Sequence, residues 1–188
     1  LMKIGILGGT FDPPHFAHKE IAKRALDQFS LEKIIFIPAG NSWQKPNSAT
    51  YANRFTMTQL LISNEKLFEI SEVENNENQP TYTIDTLKKL NLNKEDTFFI
   101  LGADAAIGIS TWESYEKLGD YVQFLIAPRK KISENDLKKN FPFNYSLIMG
   151  KELDISSTTV RRMLLEKKEI SSLIPKNIIE FINSQSLY

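Results

Sequence analysis

The sequence predicts a three-layer α/β fold in which helices cover both faces of a central, mostly parallel sheet. Three observations carry this reading. Strand-length apolar runs alternate with helical patterns along the chain. The runs are apolar almost throughout, as in strands buried on both faces, rather than alternating as in a half-solvated sheet. Three loops of unusual composition, 8–18, 39–46 and 102–104, each follow such a run, where parallel sheets hold ligands beyond the carboxyl ends of their strands.

The elements follow in order. Residues 3–7 read as a first strand and 16–29 as a helix, with Ile21, Ala22, Ala25 and Leu26 on its apolar side. Lys-Ile-Ile-Phe-Ile-Pro at 33–38 is a second buried strand. Over 51–64, Phe55, Met57, Leu60, Leu61 and Ile62 mark a helix with one apolar stripe. A strand over 67–73 precedes a polar, Asn-rich loop at 75–80. The helix over 82–90 has Thr81 and Thr83 as candidate caps. Strands are expected at 97–101, 121–127 and 145–149, with a charged, solvated stretch around a short helix at 129–140. Helices over 158–166 and 175–183 follow, the second with Pro175 at its first position.

The 188 residues suit one domain spanning 1–188. The chain is 41% hydrophobic and 24% charged, an ordinary globular composition. Lys plus Arg and Asp plus Glu number 23 each, so no basic excess favours nucleic acid or an anionic membrane surface. There is no cysteine, which excludes disulfides, thiolate catalysis and Cys-based zinc sites. No apolar run approaches the roughly 20 residues of a membrane span, and no secretory signal stands at the N-terminus. The expected location is the cytoplasm. A homo-oligomer is compatible with the sequence.

Gly8-Gly9-Thr10-Phe11-Asp12-Pro13-Pro14-His15-Phe16-Ala17-His18 is the most informative segment. A glycine turn lets backbone N–H groups approach an anion. The helix start behind it adds unpaired N–H donors and partial positive charge. His15 and His18 add donors whose charge changes near neutral pH. A phosphate site is the favoured reading. A zinc pair would need further ligands, and these are the only two histidines in the chain. The segment 5–10 does not match the dinucleotide pattern Gly-x-Gly-x-x-Gly, and Gly150-Lys151-Glu152 fails the Walker form. A second anion cradle is Ser156-Ser157-Thr158-Thr159-Val160-Arg161-Arg162, hydroxyls at a helix start followed by arginines. Helix capping alone accounts for Ser157 or Thr158 there. Asp104, in Gly102-Ala103-Asp104, follows a strand where a helix cap would account for it.

These motifs together resemble the nucleotidylyltransferase superfamily and, within it, the bacterial nicotinate-nucleotide adenylyltransferase family. Ala17 stands where that family usually has Gly. Trp43-Gln44-Lys45-Pro46 matches its Pro-Pro-His-Lys loop at the lysine, with Gln44 in place of His. Tyr82-Thr83 and Trp112 match its pyridine-binding positions, and an aromatic face suits a flat pyridinium by stacking and cation–π attraction. The resemblance covers nearly the whole chain and implies a Rossmann-like fold. It implies catalytic contacts to ATP phosphates from His15, His18, Lys45 and Arg161, His18 at the α-phosphate and Arg161 at the β- and γ-phosphates. It implies further ATP contacts from Gly8, Gly9, Thr10, Phe11, Gly102, Asp104, Ser156, Ser157 and Thr158. Tyr82, Thr83 and Trp112 would hold the mononucleotide.

The implied reaction joins the AMP part of ATP to nicotinic acid mononucleotide, giving deamido-NAD and pyrophosphate. Mg²⁺ carried by substrate phosphates is the implied cofactor, with no dedicated protein ligands. Two other readings stay open at this point. One is a different superfamily adenylyltransferase, such as a phosphopantetheine adenylyltransferase, which has no use for Tyr82-Thr83 with Trp112. The other is a nucleotide-binding module without catalysis.

Overall fold

The computed structural model describes residues 2–41, 49–76 and 78–188. Its strands are β1 (Ile4–Gly9), β2 (Lys33–Pro38), β3 (Phe68–Ile70), β4 (Thr97–Gly102), β5 (Gln123–Ala127) and β6 (Tyr145–Leu147). Its helices are α1 (Phe16–Gln28), α2 (Tyr51–Ile62), α3 (Thr83–Leu90), α4 (Ala103–Ile107), α5 (Glu134–Asn140), α6 (Ser157–Leu165) and α7 (Lys176–Ser184). The six strands form one sheet in the order β3-β2-β1-β4-β5-β6, and every neighbouring pair is parallel. The chain first builds outward from β1 through β2 to β3, then restarts at β4 on the other side of β1. That reversal opens a crevice at the carboxyl ends of β1 and β4, the place where doubly wound sheets bind ligands.

Alternate side chains of each strand enter opposite layers, which is why the strands are apolar throughout. On β2, Ile34 and Phe36 join a core with Ala22 and Ala25 of α1, Met57 and Leu61 of α2, Val160 of α6 and Ile178 of α7. Ile35 and Ile37 face the other core, with Ile84 and Leu87 of α3, Ala106 of α4 and Leu137 of α5. The buried side of α1 is made of small alanines, Ala17, Ala22 and Ala25. No helix among the described residues is long and apolar enough to cross a membrane.

Three details depart from the sequence reading. β1 does not stop at Leu7 but runs through both glycines, pairing Gly8 with Ile37 and Gly9 with Pro38. The turn therefore falls later, at Thr10–Pro14. β3 is shorter than 67–73, because Val73 N–H bonds back to Ser71 Oγ and turns the chain off this edge. The segment 103–120 holds α4 and two 3₁₀ turns, at 109–111 and 115–120, too short to show a period.

Candidate active site

The site begins with Phe11. Its φ of 51° puts a bulky residue in the left-handed region, a conformation that costs about 1–2 kcal/mol outside glycine. Burial offsets the cost. Phe11 is 1% exposed as a whole residue, and its ring packs against Phe36 and edge-on to His18. The side chain thus belongs to the core.

The chain then enters α1 through His15. The His15 backbone N–H donates to His18 Nδ1 at 3.1 Å, and the two rings stack with centroids 3.7 Å apart. An accepting Nδ1 places the proton of a neutral His18 on Nε2, which makes Nε2 its outward donor. His15 is buried, and its Nδ1 has no hydrogen-bond partner among the described residues. Burial, helped by the positive charge of Arg129, lowers its pKa to about 3. His15 is therefore a neutral ring at physiological pH.

α6 delivers the second set of groups. Ser156, not Ser157 or Thr158, is the cap, its Oγ accepting from Thr159 N–H. Ser157 Oγ donates to the Pro13 carbonyl at 2.8 Å, and Arg161 Nη1 donates to the Asp12 carbonyl at 2.6 Å. These two bonds press the start of α6 onto the loop before His15 and hold Arg161 on the Asp12 backbone, 149 residues away in sequence. The Asp12 carboxylate is buried and accepts a hydrogen bond from the Tyr188 hydroxyl. Burial and that bond push the Tyr188 phenol above its ordinary range. Removing the hydroxyl in Tyr188→Phe leaves a buried carboxylate short of a donor. Thermal unfolding should show a loss of about 2 kcal/mol, the usual value of a hydrogen bond to a charged group. An unchanged midpoint would remove this bond from the fold's support.

Across the crevice, Gly102 caps α4 and an added Cβ there would meet nothing within 4 Å. Packing does not demand this glycine, so its value lies in the room it leaves beside the strand end. Asp104 lies in the first turn of α4, largely exposed, with Arg129 Nε 3.5 Å from its carboxylate. Arg129 also pairs with Glu152 and donates to the Leu153 carbonyl. The solvated assignment of 129–140 therefore fails at Arg129, which turns inward at the end of β5. The signal was its position, two residues past a strand's carboxyl end.

Tyr82 and Trp112 pack against the same apolar cluster, Trp112 edge-on to Phe99. Tyr82 is the N-cap residue of α3 and Thr83 its first residue, so neither candidate threonine caps that helix. Glu74 ties α3 to the end of β2, accepting from Thr86 Oγ1 at 2.6 Å and Gly40 N–H at 3.4 Å. Gly40 must be glycine: a Cβ would lie 2.0 Å from the Glu74 carbonyl and 2.7 Å from that of Asn76. Trp43, Gln44, Lys45 and Pro46 lie outside the described residues.

Sequence reasoning missed Arg54. Its side chain is fully buried in α2. Nη1 donates to the Thr10 carbonyl at 2.8 Å, Nη2 to Gly40 at 3.0 Å and Nε to Ala49 at 3.2 Å. The signal was a cation on the apolar stripe, with Met57, Thr58 and Leu61 at i+3, i+4 and i+7.

The site thus combines phosphate-suited donors at one corner with aromatic rings at the next. The cytidylyltransferase-like family model matches residues 6–163. A probable nicotinate-nucleotide adenylyltransferase of Acidothermus cellulolyticus is 35% identical over 99% of this chain and 94% of its own. One from Clostridium novyi is 35% identical, with both chains covered completely. The solved structure of Plasmodium falciparum nicotinic acid mononucleotide adenylyltransferase complexed with NaAD superposes with a TM-score of 0.84 at 28% identity, covering 100% of this chain and 98% of that one. The motifs, the sheet order and full-length similarity converge: this chain belongs to the cytidylyltransferase-like family and, within it, to the nicotinate-nucleotide adenylyltransferases.

Proposed function

We propose that the protein transfers the adenylyl group of ATP to nicotinic acid mononucleotide, forming deamido-NAD and releasing pyrophosphate. The observation that carries this reading is the pair of features at the end of the β1 loop: the stacked His15–His18 rings at the start of α1, and Arg161 of α6 held on the Asp12 carbonyl three residues before them. The mononucleotide's phosphate oxygen attacks the α-phosphorus of ATP in line. The bond to the β-phosphate oxygen breaks, and its electron pair leaves with pyrophosphate. A phosphomonoester with a second pKa near 6 is already ionised at neutral pH, so the site needs no general base. Alignment and charge stabilisation supply the rate.

In this reading His18 Nε2–H donates to the α-phosphate as negative charge builds there. His15, neutral and stacked on His18, fixes that ring and offers a further donor to the phosphate chain. Arg161, braced on Asp12, holds the departing β- and γ-phosphates with Ser157 and Thr158, while Ser156 sets the helix start. Lys45 adds a cation from the connection after β2. Gly8, Gly9, Thr10 and Phe11 contribute backbone, and Gly102 with Asp104 receives the ribose of ATP. Tyr82, Thr83 and Trp112 take the pyridine ring.

Among the described residues no group of three His, Asp or Glu side chains stands ready to hold a metal ion. In this reading Mg²⁺ is carried by substrate phosphates and water, and Asp104, a largely exposed carboxylate in the first turn of α4, is the side chain that would approach it. When bound, the ion neutralises phosphate charge. The test is pyrophosphate release with ATP and three acceptors: nicotinic acid mononucleotide, its amide, and phosphopantetheine. Turnover should be fastest with the first. Preference for phosphopantetheine would overturn the assignment, and ATP binding without release would leave only a binding module.

A further inference from the structure

A fully buried guanidinium is an expensive way to fill a core. An apolar side chain of similar volume usually serves stability as well or better. What Arg54 does with its burial is therefore informative. Among the described residues, three of its N–H contacts go to carbonyls of three separate stretches: Thr10 in the β1–α1 loop, Gly40 just after β2, and Ala49 just before α2. One planar fork sets the spacing of all three, a task the single nitrogen of lysine cannot perform. All three stretches border the crevice at the strand ends.

We propose that Arg54 is a positioning residue for adenylyl transfer, setting the backbone that follows β1 and β2 on one flank of the crevice while touching neither substrate. This rests on the reaction assigned above. The peptide between Thr10 and Phe11 is trans, so its N–H points opposite to its C=O. By holding the Thr10 carbonyl toward α2, Arg54 turns the Phe11 N–H to the opposite side. The Phe11 ring is locked in the core, so this N–H is what Phe11 has to offer a phosphate. On the acceptor side the same guanidinium holds the Gly40 carbonyl while Glu74 receives the Gly40 N–H. Gly40 is thereby fixed from two directions, and Asn41 next to it bonds Thr81, immediately before Tyr82. Arg54 thus links the phosphate loop to the strand end that borders the pyridine-binding residues. The ring of Tyr51, 5.6 Å from the guanidinium carbon, closes one face of the cation.

The prediction is a split between kcat and KM. Misplacing preformed donors by a fraction of an ångström harms the aligned transition state more than ground-state binding. Arg54→Met and Arg54→Lys should each lose about 100-fold in kcat, with KM for ATP and for the mononucleotide within about threefold of wild type. Lysine restores the charge but not the fork, so it should fail nearly as badly as methionine. Millimolar guanidinium should recover part of the rate in Arg54→Ala, where the cavity can admit it. Each rate is taken per folded enzyme, at a temperature below that variant's melting transition. Should Arg54→Met not fold, Arg54→Lys, which refills the cavity, carries the test alone. A folded variant with kcat within threefold of wild type, or one whose defect lies wholly in KM, overturns the proposal. Wild-type enzyme that releases no pyrophosphate with any acceptor would instead overturn the reaction itself.

Discussion

His18→Ala lowers kcat for adenylyl transfer by roughly 100- to 1,000-fold, while ATP still binds. The expectation follows from the geometry around Nδ1. Because that nitrogen accepts the His15 backbone N–H at 3.1 Å, Nε2 is committed to donating. A donor fixed before the reaction, aimed where phosphoryl charge grows, is worth about 3–4 kcal/mol when removed. In the proposed binding mode the ground-state triphosphate is shared among Arg161, the helix starts and the loop backbone, so binding should survive one lost contact. His18→Asn sharpens the test. Asparagine is shorter but can present an N–H, so it should retain more activity than alanine. Steady-state rates with both substrates saturating decide the matter, and near-wild-type kcat in His18→Ala would remove this residue from the chemistry. The stacked His15 ring would lose its partner in either variant, so melting curves must accompany the rates.

The sheet was legible because parallel strands, covered on both faces, leave a continuous apolar trace. The layers follow from that trace alone. Legibility faded where one local signal stood for two structures. Gly8 and Gly9 read as a turn, yet both are paired in β1, and the left-handed residue is Phe11, whose ring gains a core pocket in return. Ser156, Ser157 and Thr158 are all good caps, and only the docking of α6 on Pro13 and Asp12 decides that Ser156 takes the role. Long-range partners were illegible in principle. Tyr188 meets Asp12 across 176 residues, and no spacing rule announces it. Arg54 is the instructive case. Its place on the apolar stripe of α2 was visible, but a lone arginine there is ordinarily a solvated flank. Only the three carbonyls that converge on it show why a cation is buried.

The acid side of the stability curve should carry a signature of His15. Its folded-state pKa is near 3, against an ordinary value of 6.5 in the unfolded chain, because burial and Arg129 disfavour the charged ring. Between those values the unfolded chain binds a proton that the folded one refuses. The contribution is therefore complete above pH 6.5 and is lost as pH falls toward 3, at up to about 1.4 kcal/mol per pH unit, on the order of 4–5 kcal/mol in all. The window from pH 6.5 to 5 is the clean one, since most carboxylates titrate below it. There wild type should lose about 2 kcal/mol more than His15→Asn in denaturant unfolding, His18 being common to both. Equal slopes would mean that His15 is solvated. ATP should act in the opposite sense. A polyanion beside the ring favours its charged form, so binding at pH 5.5 should take up a fraction of a proton that His15→Asn does not. Calorimetry in two buffers of different ionisation enthalpy measures that uptake directly. Equal uptake in wild type and His15→Asn would mean that the ring stays neutral with ATP bound.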